Sequence, residues 1–167
     1  MTPIRTILHP TDFSQHSEHA FQLACSLARD HGSRLIVLHT QERPVMAYAG
    51  IAMAPPAPPP SADERQALKK QLRGMHCTDS AVRVEHLLVD GDPATAILEI
   101  AQEQKCDLIV LGTHGRTGLG RLLMGSVAEK VLREATCPVL TVKAPPPAGA
   151  SSPVPNEVLR ALKTPQA

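Results

Sequence analysis

Short aliphatic runs alternate along the chain with longer stretches in which apolar residues recur every third or fourth position. Thr6-Ile7-Leu8-His9, closed by Pro10, has the length of a buried strand. Asp12 and Ser14 follow as helix-start oxygens, and Ala20, Ala24, Leu27 and Ala28 keep helical spacing until His31-Gly32 ends the pattern. Leu35-Ile36-Val37-Leu38 is too short for a helix and predicts a second strand covered on both faces. Leu68, Leu72 and Met75 mark a second helix, and the alternation from Val82 to Val89 marks a third strand. Asp92-Pro93 is a clear helix start: a capping carboxylate, a proline suited to the first helical position, then Ala94, Ile97, Leu98 and Ala101 on one face, to about Gln104. Leu108-Ile109-Val110-Leu111 predicts strand four. Leu123, Val127, Val131 and Leu132 predict helix four, and Val139-Leu140-Thr141-Val142, opened by Pro138, predicts strand five.

Alternating aliphatic strands and amphipathic helices require a parallel sheet with helices on both faces. The expected class is therefore α/β, a five-stranded parallel doubly wound sheet in a Rossmann-like three-layer sandwich. Such sheets bind ligands beyond the carboxyl ends of their strands, at the switch point. If strands one and four are neighbours, Asp12 and Gly112 share that crevice.

Composition narrows the function. The 167 residues carry 17 Lys+Arg against 16 Asp+Glu and 2% aromatics. A net charge of +1 sets up no field for a polyanion, and Phe13, Phe21 and Tyr48 cannot form a row of base-stacking platforms. Nucleic-acid binding is thus disfavoured. The 16 prolines exceed the average share of about 5%, but most lie between Pro44 and Pro60 or beyond Pro145. We read 1–143 as the domain, 44–60 as a mobile or polyproline-like loop and 144–167 as a largely disordered tail. No apolar run has the length of a signal h-region or a membrane span. Cys25, Cys77, Cys106 and Cys137 lie far apart without metal-ligand spacing; the even count allows two bridges, but four buried thiols and a reducing cytoplasm are the favoured reading.

The segment Gly112-x2-Gly115-x9-Gly125-Ser126 carries the candidate chemistry. Glycines let a backbone approach a ligand closely, and amides of such a loop and of a helix start can hold phosphate oxygens. Ser126 adds a hydroxyl, Arg116 and Arg121 can meet residual charge, and Asp12 suits a ribose, whose hydroxyls donate to a carboxylate. Gly115-x4-Gly120 is followed by Arg121-Leu122, so no Walker loop is present, and Gly118-Leu119-Gly120 does not continue as a dinucleotide fingerprint. His114, inside the loop, has no identifiable acid or base partner. His16 and His19 lack the further ligands of a metal site.

With these residues in view the chain resembles the universal stress protein family. Ile7-Leu8-His9-Pro10-Thr11-Asp12-Phe13-Ser14 is similar to the family's opening, Gly112-Thr113-His114-Gly115 to Gly125-Ser126 matches its nucleotide motif G-x2-G-x9-G-S/T, and Pro138-Val139-Leu140-Thr141-Val142 resembles its closing strand. The resemblance spans about residues 4–143 and implies the nucleotide-binding α-hydrolase-like form of the sandwich. Some members with the motif bind ATP and others without it do not, so the intact motif implies the ATP-binding group. It further implies ATP, alone or as its Mg2+ complex, with Asp12 at the ribose, the Thr40 main chain at the adenine, and Gly112, Gly115, Gly125, Ser126 and Val127 around the phosphates. Pro10, Thr11, His114 and Arg116 complete the expected nucleotide-binding set. Residues 138–142 would pair across a two-fold axis into a homodimer. His9 departs from the aliphatic or aromatic residue common before the motif proline.

Three functions follow in order: a cytoplasmic nucleotide-responsive regulatory module of the stress response; at most a slow ATP hydrolase or self-phosphorylating protein in the same pocket; or a partner-binding module with the pocket unused. The sequence names no downstream protein partner.

Overall fold

In a computed structural model of the chain, residues 3–42, 61–113 and 125–143 are described. The proline-rich segment expected at 44–60, the tail expected from 144, and His114, Gly115, Arg116 and Arg121 lie outside the described residues.

The elements run β1 (Thr6–Pro10), α1 (Gln15–His31), β2 (Arg34–Gln41), α2 (Ala62–Arg73), β3 (Val84–Asp90), α3 (Pro93–Glu103), β4 (Leu108–Gly112), α4 (Ser126–Glu134) and β5 (Val139–Val142). All four strand pairings are parallel, in the order β3-β2-β1-β4-β5. The chain reverses its direction of winding between β1 and β4, which makes these two strands the switch point. Side chains alternate across each strand, so each strand feeds two cores. Ile7, Leu35, Val37, Leu108 and Val110 pack with Ala20, Phe21 and Ala24 of α1 and Leu72 of α2. Leu8, Ile36, Leu38, Ile109 and Leu111 pack with Ala94 and Ile97 of α3 and Ala128 and Val131 of α4. The result is the expected α/β sandwich with a five-stranded parallel sheet between two helical layers.

Helix ends obey local chemistry. Ser14 caps α1 by accepting from the Ser17 amide, and Gly32, with φ of 64°, closes it in the left-handed conformation that a Cβ disfavours. Ser61 and Glu64 form a reciprocal capping box on α2. Asp92 caps α3 from just before Pro93. Two boundaries differ from expectation. Met75 lies beyond Gly74, which ends α2, and packs on the core from the following turn. Val82 is buried but precedes β3, because its amide is drawn into a turn with the Asp79 carbonyl.

The cysteine expectation is corrected. Cys25 and Cys77 form a disulfide across a sequence separation of 52 residues, while Cys106 and Cys137 are free thiols. Cys25 is on the buried face of α1, and Cys77 follows α2 in the same helical layer, so the fold brings together two residues that no sequence spacing relates. The cysteine argument for a reducing compartment does not hold. Among the described residues no helix is long and apolar enough to cross a membrane.

Candidate functional site

A cleft of about 610 Å³ opens at the carboxyl ends of β1, β2 and β4. Of the residues singled out by sequence, it brings together Pro10, Thr11 and Asp12 after β1, Thr40 on β2, Gly112 at the end of β4, and Gly125, Ser126 and Val127 at the start of α4. The amide of Gly125 donates to the carbonyl of Thr113 at 2.8 Å, so the chain leaves β4 and re-enters α4 at adjoining points. His114, Gly115 and Arg116 belong to the segment between those points, outside the described residues. The strand-five residues Pro138, Val139, Leu140, Thr141 and Val142 do not line the cleft. They lie at the β5 edge of the sheet, where β5 pairs only with β4 among the described residues, and Leu140 is 37% exposed.

Besides α1, whose first-turn Ser17 lines the cleft, α3 and α4 start at it, and these two are finished differently. At α3 the carboxylate of Asp92 accepts from the Thr95 amide at 2.9 Å and the Thr95 hydroxyl at 2.6 Å, and Lys130 of α4 lies 3.3 Å from the same oxygen. The Thr95 hydroxyl and amide bonds, with Lys130, hold the Asp92 carboxyl below its ordinary range. That helix end carries its own anion. At α4 the capping position is Gly125, which offers no side-chain bond. Among the described residues no side chain caps the first-turn amides of α4, which present the positive end of the helix dipole, with Glu129 as the acidic residue of that turn.

The opposite wall is a tightly bonded turn. Asp12 accepts from the Ser14 amide at 3.0 Å, and the Thr11 hydroxyl accepts from the Phe13 amide at 3.1 Å. Phe13 takes a positive φ of 62°, a conformation costly for a residue with a Cβ. Its ring centroid lies 4.5 Å from that of His39, and His39 Nδ1 donates to the Thr11 carbonyl at 2.7 Å.

At this wall sequence reasoning noted His9 without giving it a role and missed Ser17 and His39. Ser17 and His39 line the cleft, and His9 lies fully buried beneath them. The Thr11 and Ser17 hydroxyls are 2.9 Å apart, and Ser17 Oγ is 3.4 Å from His9 Nε2. His9 Nδ1 lies 2.9 Å from the Val110 carbonyl. A carbonyl can only accept, so neutral His9 carries its proton on Nδ1 and leaves Nε2 as an acceptor. Burial lowers the His9 pKa from 6.5 to about 4, opposed by the Val110 bond and by the charges of Glu18 and Asp12. The rule that ligands meet strand ends could have drawn attention to His39; nothing in the sequence links Ser17 to His9.

Comparison with known proteins agrees with this geometry. The profile of the universal stress protein family matches residues 3–143. A universal stress protein of Thermus aquaticus, from the 3′ region of a QAH/OAS sulfhydrylase, is 37% identical over 139 residues, which cover 83% of this chain and 98% of that protein. The structure of protein MJ0577, of Methanocaldococcus jannaschii, superposes with a TM-score of 0.66 at 25% identity over 87% of this chain and 99% of the other. A universal stress protein solved in complex with cAMP superposes with a TM-score of 0.62 at 27% identity, covering 85% and 98% of the two chains. The chain belongs to the universal stress protein family.

Proposed function

We propose that the cleft binds an adenine nucleotide, ATP in particular, and that the protein is a nucleotide-responsive regulatory module of the stress response. The observation that carries this reading is the glycine-capped start of α4, open to the cleft opposite Asp12. A phosphate chain at that helix end completes its amide bonds and meets the helix dipole, while the end of α3, already held by Asp92, offers no such place. A carboxylate repels phosphate and accepts from hydroxyls, which puts Asp12 on the ribose side, with Pro10 and Thr11 lining the cleft beside it. The adenine then meets the Thr40 main chain, and Gly112, Gly125, Ser126 and Val127, with His114, Gly115 and Arg116, take the phosphates. The cleft volume of about 610 Å³ falls within the range of about 300–1,000 Å³ usual for small-molecule sites. The complex of a related universal stress protein with cAMP supports an adenine ligand. We further propose that β5 pairs with its copy to form a homodimer.

Thermal denaturation with adenosine, AMP and ATP tests the assignment. Ligand at 100 times its Kd stabilises by about 2.7 kcal/mol, which raises Tm by about 5–10 °C in a domain of this size. The expected order is ATP above AMP above adenosine, with the ATP increment reduced in Ser126→Ala. Equal shifts for all three ligands would remove the phosphate assignment.

A further inference from the structure

We propose that Cys106 and Cys137 form a thiol–disulfide exchange site, in which Cys137 takes up a small-molecule disulfide and Cys106 displaces it to close a second disulfide within the chain. The site lies where β4 and β5 begin, at the opposite end of the sheet from the nucleotide cleft, and does not depend on the reading of that cleft.

The four cysteines divide by layer. Cys25 and Cys77 belong to the core between the sheet and α1 and α2, and they are bonded to each other. Cys106 belongs to the core between the sheet and α3 and α4, Cys137 packs against that same core, and both are free thiols. β4 and β5 pair in parallel from Ile109↔Val139 onward. The Ile109 amide donates to the Pro138 carbonyl at 3.0 Å, which carries the pairing back to the residue after Cys137. Cys137 is two residues before Val139, and Cys106 is three before Ile109. With strands about 4.8 Å apart and about 3.3 Å of rise per residue, that offset of one residue separates the two Cα atoms by about 6 Å, inside the range of about 4.4–6.8 Å that a disulfide spans. Alternation along a strand does not set the direction of Cys106, which precedes β4. Its amide donates to the Ala101 carbonyl at 2.8 Å at the end of α3, and Lys105 before it has a φ of 50°. That turn directs the Cys106 side chain into the core against which Cys137 packs.

The two thiols differ in exposure, which divides the roles. Cys106 is buried, and burial, helped by the neighbouring Cys137, opposed by Arg34 and helped by Asp107, pushes its pKa up to about 12. Cys137 is half-buried; burial raises its pKa, a backbone hydrogen bond opposes the rise and Asp107 adds to it. Cys137 is therefore the sulfur that a disulfide from solution meets. Its thiolate, the proton given to solvent, attacks one sulfur of the small disulfide; that S–S bond breaks, a mixed disulfide forms, and the first small thiolate leaves and takes up a proton. Cys106 then loses its proton to solvent and attacks the Cys137 sulfur, and the second small thiol leaves in the same way. Two protein thiols are oxidised by two electrons, and one small disulfide is reduced to two thiols. The new bond joins the two ends of the segment that holds β4, the glycine motif and α4. Because thiolate is scarce at neutral pH, exchange is slow there and quickens with alkali.

The test incubates the full-length chain, purified without reductant so that Cys25–Cys77 stays closed, with oxidised glutathione at pH 7 and pH 8, in wild type, Cys106→Ala and Cys137→Ala. Mass spectrometry and thiol titration in denaturant follow the products. Wild type is expected to lose both free thiols and two hydrogens, to keep no glutathione, and to yield a linked Cys106–Cys137 peptide on digestion. The reaction should be about tenfold faster at pH 8 than at pH 7. Cys106→Ala should stop with glutathione on Cys137, and Cys137→Ala should react at least about tenfold more slowly than wild type. Glutathione retained on wild-type Cys137, both thiols left free after prolonged exposure, or a bond from either to Cys25 or Cys77 overturns the inference, as does thiol loss at the wild-type rate in Cys137→Ala. The wild-type products alone decide the matter where a variant fails to fold.

Discussion

The imidazole of His9 supplies the Val110 carbonyl with a hydrogen bond, at 2.9 Å, beside a proline that has no amide to give. The bond fixes a neutral, fully buried ring at the centre of the sheet. In the unfolded chain His9 titrates at its ordinary 6.5, and in the folded chain at about 4. Between those values the unfolded state holds more protons, so stability falls as pH drops from 6.5 toward 4 and levels off below. The loss is about 3 kcal/mol. Urea unfolding at several pH values checks it: wild type should lose this stability between pH 6.5 and 4, and His9→Asn should show a flatter profile over that window.

The Cys25–Cys77 bond closes a long loop containing β2 and α2. In the chain-entropy picture such a closure contributes about 4 kcal/mol, so full reduction is expected to lower Tm by about 10 °C. Thiol titration in denaturant should find two reactive cysteines before reduction and four after. Four before reduction would show that the bond is absent.

Asp92 joins α3 to α4 through Thr95 and Lys130. Asp92→Ala removes the cap and should cost about 1 kcal/mol, read as a fall in the urea midpoint, while Asp92→Asn should recover much of it. Because hydrogen bonds from Thr95 hold the folded carboxyl below its ordinary 3.8, the contribution of its charge is complete at neutral pH and is lost only as pH falls below that value.

Leu140 stands exposed on the edge strand, whereas Val139 and Val142 pack against the two cores. Leu140→Asp is therefore the substitution suited to testing the proposed homodimer, since it spares the packing inside the domain. Light scattering should report a dimer for wild type and a monomer for the variant. A dimer that survives would place the interface elsewhere.

Much of the fold was legible because single residues dictate local outcomes. Asp92-Pro93 could only open a helix, and the uninterrupted run from Leu35 to Leu38 could only be a strand covered on both faces; all four of its side chains are fully buried. The cleft was legible for a related reason: in a doubly wound sheet, whatever follows β1 and β4 meets at one edge, which brings Asp12 to Gly125. Pairings between elements distant in sequence were not legible. Cys25 meets Cys77 only because α1 and the turn after α2 share one layer, and His9 meets Ser17 only because α1 folds back along β1. Apolar periodicity says that a face is buried; it does not say which residue stands opposite.

On the proposed reading, the glycine-capped start of α4 and the turn at Asp12 form one nucleotide site. Isothermal titration of ATP into nucleotide-free, full-length protein is the decisive measurement. Saturable binding is expected at one site per chain, weakened at least about tenfold, or about 1.4 kcal/mol, by Asp12→Ala and by Ser126→Ala. An absence of saturable heat from wild-type protein, with no ATP retained on equilibrium dialysis, would contradict it.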